Sequence, residues 1–429
     1  MKSLLQAILK ILTRIIIRRH KPYIIGVTGS VGKTSTKEAI VTVLKDRFSV
    51  RTSVKNYNNE IGMPLTIIGE VSPGRSFMGW IVVLLKTLKL SIIKDSDFPD
   101  ILVLEYAADK KGDIAYLKTI ASPNMAVITH VSNAHLEFFD SVDDIAREKF
   151  SLIDHLDEHA PIFINGDVDE VLKKSQEYKK NMFIRYGFSD DAHIRAYSKR
   201  LRTDRANNKR PLGTECKIRI EEEEIQVFLP GVISDAHINS ILPAIGVAYK
   251  KGITLDDIVE SLKNYHVPPG RMKLLPGVKG ILIIDDTYNS SPVAVINAVD
   301  TLHKLPISKG GKTWAVLGDM LELGSKSDSE HREVGRYVYK SDIDYLVTVG
   351  MHAKGIATGA KRRGMSKDRV FSFDNTRTAG KFIQGRVEKE DIILIKGSQG
   401  VRMEKIVKEI MSDPLRAKDL LVRQDNSWD

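Results

Sequence analysis

A chain of 429 residues, 42% of them apolar, exceeds one ordinary core and points to two or three folded domains. Its single cysteine, Cys216, excludes a disulfide framework and fits a reducing, cytoplasmic compartment where ATP is at hand. A net charge of +10 calls for an acidic partner, but the basic residues gather only at the ends of the first helix and at 199–210, and no nucleic-acid-reading module is present. Nucleic acid is therefore set aside, leaving a phosphorylated substrate or an anionic membrane surface.

Residues 3–19, SLLQAILKILTRIIIRR, put Leu4, Leu5, Ile8, Ile11, Leu12, Ile15 and Ile16 on one helical face, with Gln6, Lys10, Thr13 and Arg14 opposite. This basic amphipathic helix, a segment of its own over 1–22, is too interrupted to span a bilayer and no cleavage site follows it. It either lies on a membrane surface or docks on the protein, since both bury the same face.

The next stretch, YIIGVTGSVGKTST at 23–36, is an apolar strand that runs into a turn of small residues and then a helix from Lys33 to about Leu44. Such a turn leaves backbone N–H groups converging at the positive end of a helix, which is a cradle for polyphosphate. Gly29, Ser30, Gly32, Lys33, Thr34 and Ser35 form it, with Lys33 reaching the terminal phosphates and the Thr34 hydroxyl on Mg²⁺. A glycine is missing at Val27, and Gly29 is expected to supply the turn instead.

Residues 77–93, FMGWIVVLLKTLKLSII, form a second apolar helix punctuated by lysine, too short and too charged to span a membrane. It either packs against the first helix or shares a membrane-facing patch with it. From Pro99 strand-like runs alternate with helices (ILVLEY, MAVITHV, PIFING), as in a mostly parallel sheet covered on both faces. Functional groups are expected at the carboxyl ends of its strands, where Glu105 and the stretch from His130 to His135 lie. Residues 190–229 read as a small antiparallel insert, in which the four glutamates at 221–224 form a solvated strand end or turn rather than a metal site.

Helices follow at 239–249 and 255–265. The Pro-Pro-Gly at 268–270 then marks a boundary, giving a central domain over 23–269 and a C-terminal domain over 270–429. Beyond it α/β alternation restarts (GILIIDDTYN, KTWAVLGDM, YLVTVG, DIILIKGS). The fold expected is thus α/β, a P-loop-type central domain followed by a smaller Rossmann-like domain.

Eight ordered motifs carry a resemblance: TGSVGKTSTKE at 28–38, NYNNEIGMPLT at 56–66, NAHLEFF at 133–139, IAREK at 145–149, PGRM at 269–272, DDTYNSSP at 285–292, LGDMLELG at 317–324 and IKGSQG at 395–400. By these the chain resembles the Mur ligase family, most closely its D-alanyl-D-alanine-adding type. The resemblance implies ATP-dependent amide formation on a muramoyl-tripeptide carboxylate. A phosphoryl transfer would make an acyl phosphate, and the amine of D-Ala-D-Ala would attack it, within the synthesis of cell-wall peptidoglycan precursors. It further implies that Glu105 and Thr34 hold a first Mg²⁺ and that His135 helps hold a second. Lys149, otherwise read as a solvated helix lysine, would be a carbamylated metal ligand. Asn239, Arg271 and Asp286 would contact the nucleotide, Asn58 and Asn59 the carboxylate substrate, Tyr288 and Asn289 the incoming amine or the nucleotide, and Lys396 and Ser398 the dipeptide.

Three departures accompany the resemblance. Only about twenty residues precede the P-loop strand, short of a usual domain, so the uridine part is expected to be held elsewhere or the substrate to differ. Glu105 is followed by Tyr106-Ala107 where the family carries Met-Gly, and Asp235-Ala236 replaces a His-Asn pair near Asn239. Two alternatives stay open: a Mur-like ligase joining another amine to another carboxylate, and a non-catalytic nucleotide-binding protein at the membrane.

Overall fold

The computed structural model describes residues 2–53, 57–132, 139, 141–179, 182–204 and 210–424. The first sheet is built from β1 (Tyr23–Thr28), β2 (Val50–Thr52), β3 (Ile101–Glu105), β4 (Met125–Ile128), β5 (Ile162–Asn165), β6 (Phe183–Gly187), β7 (Ile194–Asp204), β8 (Arg210–Ile220) and β9 (Glu223–Pro230). Its order is β2-β3-β1-β4-β5-β6-β7-β8-β9. Strands β1 to β6 pair in parallel, and β3 and β4 are apolar at nearly every position because helices cover both faces. The antiparallel stretch anticipated at 190–229 is β7 to β9. It continues the same sheet, with β7 joined to β6 in parallel over Tyr186–Ile194 and Gly187–Arg195 before the antiparallel ladders begin.

Alternate residues of β1 feed the two layers. Ile25 and Val27 pack with Ile40, Leu44, Ile241 and Ile245 on one face, while Ile24 packs on the other with Leu102, Leu117 and Phe150. Helix Lys2–His20 docks on that second layer through Leu9 and Ile16. The single apolar face expected of it is divided, because that face is wider than the strip the helical layer covers. Ile16 turns inward, whereas Leu4, Ile8, Ile11 and Ile15 remain exposed.

The second sheet comprises β10 (Lys273–Pro276), β11 (Leu282–Asp286), β12 (Thr313–Gly318), β13 (Tyr345–Val349), β14 (Val370–Phe373) and β15 (Ile392–Lys396), in the order β10-β11-β15-β12-β13-β14. All pairs are parallel except β10 with β11. Here too the helices form layers on both faces, around Ile284 and Leu394 on one side and Ile283 and Ile393 on the other. The carboxyl ends of β1, β3, β4 and β5 face those of β11 and β15 across a cleft of 730 Å³.

Candidate active site

The loop between β1 and helix Lys33–Leu44 is fixed from below by the end of β4. Thr129 Oγ1 donates to Val31 O at 2.6 Å, and Ser30 N donates to His130 O at 2.6 Å. Gly32 caps the helix at φ 89°, a left-handed conformation suited to glycine. At Gly29, with φ 145°, an added Cβ would lie 2.0 Å from Thr129 Oγ1, so this glycine permits the close approach the turn needs. Gly29→Ala is expected to lower the unfolding free energy by about 1–3 kcal/mol and to weaken ADP binding with it, measured by thermal unfolding and calorimetry. Lys33 folds back over the loop, its Nζ donating to Gly29 O at 2.6 Å. Desolvation lowers its pKa, while the Glu105 carboxylate opposes the shift and the Arg271 guanidinium adds to it.

Glu105 ends β3 nearly buried, with Oε1 3.5 Å from Lys37 Nζ and in no hydrogen bond among the described residues. Lys37 is itself held by Ser53, through O at 2.8 Å and Oγ at 3.1 Å. Lys149, on helix Val142–Phe150, is 2% exposed, and its Nζ meets Ala108 O at 3.4 Å. Burial first, and then repulsion from Lys33, pulls its pKa down to about 7. The neighbouring Glu148 turns the other way, accepting from Gly112 N at 2.8 Å and Ile114 N at 2.9 Å at the start of helix Asp113–Ile120. His135 lies outside the described residues.

The opposite wall comes from the second sheet. Arg271 stacks on Tyr288, with 3.8 Å from guanidinium carbon to ring centroid. Asp286 pairs with Lys396 at 2.7 Å and accepts from Met272 N, and Lys396 also donates to Asn289 O at 2.9 Å. Asp285 is fully buried, bound by Thr287 and Gly270 N, and burial raises its pKa to about 6. On the far side of the cleft Asn239 Nδ2 lies 3.5 Å from Asp167 Oδ2 and its Oδ1 is buried without a partner among the described residues. Burial drives the pKa of neighbouring His237 down to about 4, so its ring is neutral near pH 7.

The residues of the second sheet's half, 270–399, match the family model of the Mur ligase glutamate ligase domain, and 27–74 with 87–248 match that of the Mur ligase middle domain. The UDP-N-acetylmuramoyl-tripeptide–D-alanyl-D-alanine ligase of Bacillus subtilis (strain 168) is 30% identical over 392 residues, covering 91% of this chain and 76% of its own. The chain belongs to the Mur ligase family. The Escherichia coli (strain K12) enzyme of the same name is 27% identical, with 91% and 77% covered. Among solved structures, the MurF ligase from Thermotoga maritima in complex with ADP superposes with a TM-score of 0.76 at 28% identity, covering 94% of this chain and 83% of that one.

Of the residues that the Mur ligase resemblance singled out, Ser30, Gly32, Lys33, Thr34, Ser35, Asn58, Glu105, Asn239, Arg271, Asp286, Tyr288, Asn289 and Lys396 line the one cleft. Gly29 and Lys149 lie behind its wall. Asn59 instead braces the turn before helix Gly62–Ile68, its Oδ1 accepting from Gly62 N at 2.8 Å, and Ser398 accepts from Leu321 N at 2.9 Å and donates to Ser290 O at 3.4 Å. The first departure from the Mur ligase pattern after Glu105 is absorbed by the core: Tyr106 is fully buried, donating to Ala121 O at 2.7 Å, and only Ala107 reaches the cleft. At the second, Asp235 and Ala236 both line the cleft, and Asp235 pairs with Lys199 at 2.7 Å.

The cleft also contains His130, at the strand end where functional groups are expected, and Asp109, Asp167 and His237, which have no telling spacing in the sequence. Lys37 is likewise unannounced, since on a helix it reads as one more solvated lysine. The donors fit a nucleoside triphosphate with a hard cation: a loop of backbone N–H groups, a lysine, a hydroxyl and a buried carboxylate oxygen left without a hydrogen bond. Among the described residues no three His, Cys, Asp or Glu side chains form a ready metal cage.

Proposed function

We propose that the protein is an ATP-dependent, Mg²⁺-requiring ligase of peptidoglycan precursor synthesis that adds D-Ala-D-Ala to a muramoyl-tripeptide. The observation that carries this reading is the convergence of Lys33 and Glu105 with Arg271 and Asp286 on one cleft between the two halves, in a chain 30% identical to a ligase of that name. The central unit is taken as 23–269 and the C-terminal unit as 270–429. Acyl transfer between two substrates needs both held and water excluded, and a cleft between two sheets suits that requirement.

Lys33 leaves Gly29 O to meet the terminal phosphates, and Arg271 brings a second cation from the opposite wall. Mg²⁺, when bound, neutralises phosphate charge; Thr34 and Glu105 offer oxygen donors to one ion, and His135 with carbamylated Lys149 would serve a second. Asn58 faces the carboxylate substrate, Asn239 the base, and Asp286 the ribose. Tyr288 and Asn289 border the amine's path. Lys396, already paired with Asp286, acts by fixing that carboxylate, and Asn59 and Ser398 act through the loops they brace. The place of action is the cytoplasm, at the inner face of the membrane.

Phosphate release should require both UDP-muramoyl-tripeptide and D-Ala-D-Ala. Turnover only with other amines would move the reading to another ligase, and tight ATP binding without turnover under any pairing would move it to a non-catalytic nucleotide-binding protein.

A further inference from the structure

Helices Lys2–His20 and Phe77–Ile92 lie side by side on the outside of the first sheet's helical layer. Their carboxyl ends are tied together, since Arg19 Nε donates to Ser91 O at 2.8 Å and Asp95 N donates to His20 Nε2 at 3.0 Å. Leu9 and Ile16 of one and Val83 and Leu90 of the other enter the same core. The opposite sides are apolar as well. Leu4, Ile8, Ile11 and Ile15 form an exposed stripe at helical spacing on the first helix, and Met78, Val82, Leu85 and Ile92 form another on the second. Val82 is 61% exposed and Leu85 62%, values that a helix serving only as a structural layer has no need of.

Charge selects the occupant. No Asp or Glu occurs in residues 1–37 or 71–94, whereas Arg14, Arg18 and Lys89 are exposed along the same two helices and Lys94 just after the second. A second copy would bring two cationic faces together. Spanning is excluded, because no described helix is long and apolar enough to cross a membrane. Both helices also fall largely outside the matched Mur ligase residues, which skip 75–86 and begin at 27. We propose that the paired outer faces of these helices dock the protein on an anionic lipid bilayer, with the apolar stripes in the acyl boundary and the basic residues at the lipid phosphates.

The second helix starts beside the cleft's Asn58 edge: Ser72 N donates to Tyr57 Oη at 2.8 Å, and Trp80 Nε1 donates to Gly74 O at 3.1 Å. The start of the second helix is thus linked, through residues 72–74 and Tyr57, to the residue next to Asn58 on the cleft's rim. Docking on lipid deepens the inner-membrane location and rests on it, but not on the ligase chemistry.

The test is co-sedimentation of the full chain with phosphatidylcholine vesicles containing phosphatidylglycerol, with turnover assayed on the same samples. Wild type should sediment with these vesicles, and less with pure phosphatidylcholine or at high salt. Val82→Ser with Leu85→Ser should lower partitioning at least about tenfold by removing apolar contact alone. Arg14→Gln with Arg18→Gln should lower it about fivefold per charge, on anionic vesicles only. All four positions are exposed, so circular dichroism should match wild type. Sedimentation unchanged in both variants would overturn this face while leaving a peripheral location in place. No sedimentation of wild type would overturn both, with turnover still reporting on the ligase reading. A dimer that the serine pair converts to monomer without vesicle binding would assign the face to a second copy and overturn the proposal.

Discussion

Lys33→Ala is expected to reduce substrate-dependent ADP formation by at least about 10³-fold while leaving the unfolding midpoint near that of wild type. The lysine is the first residue of its helix, where alanine is fully acceptable, and its Nζ is bound to backbone oxygens of the phosphate loop rather than to the core. Its removal therefore costs the fold little. It takes away the cation nearest the loop, in surroundings dry enough to lower its pKa, where a charge acts more strongly on a transferring phosphoryl group than it would in water. Arg271 cannot substitute, because it comes from the other wall and is stacked on Tyr288. Phosphate release and ADP calorimetry on the purified variant check this. Turnover within a few-fold of wild type would remove Lys33, and with it the assigned phosphate site, from the reaction.

Much of this site is readable in the sequence because its parts are local. The loop at 29–32 announces itself through glycine and lysine spacing, and β1, β3 and β4 through continuous apolar runs that only a sheet covered on both faces explains. The strands that escape such a reading are β2, β6, β10 and β14. They are short and partly exposed, with too few residues to establish a period of two. The same limit applies to the site. Asp167 is 72 positions from Asn239 and becomes its neighbour only through the fold, while His237, on the same helix as Asn239, has no spacing that sets it apart. Helix Lys2–His20 shows the converse: one amphipathic periodicity fits docking and membrane contact alike, and folding uses one edge of the apolar face while exposing the other.

Asp286 and Lys396, named separately by the family resemblance, are joined to each other by the fold. Lys-Gly-Ser by itself reads as a plain strand-to-helix turn, and only the family resemblance implies a dipeptide contact for Lys396. The ammonium is instead committed at 2.7 Å to Asp286 on the adjacent strand, in a parallel register that sets the two residues opposite one another. Pairs formed across a sheet are not visible in spacing along the chain.

Lys149→Ala should lower turnover by at least about 10²-fold, and small carboxylates such as formate or acetate should restore part of it. The side chain is buried behind the wall that carries Glu105 and Lys33, and truncation leaves room for a small anion where a carbamate would stand. Carbamate formation requires the neutral amine, and this amine, unlike an exposed lysine, loses its proton at about pH 7. Protein stripped of CO₂ should therefore recover activity with bicarbonate readily at pH 8 and poorly at pH 6, where only about a tenth of the amine is neutral. The sign of the stability effect follows from the same shift. The folded pKa is below the unfolded one, so the unfolded chain binds more protons between the two values. In CO₂-free buffer stability should rise with pH from about 7 toward 10.5, the ordinary lysine value, and the contribution should vanish in Lys149→Met. A carbamate carbon signal from ¹³C-bicarbonate, present in wild type and absent in Lys149→Ala, reads the adduct directly. Failure of carboxylate rescue together with absence of that signal would return Lys149 to a structural role while leaving the Lys33 result untouched.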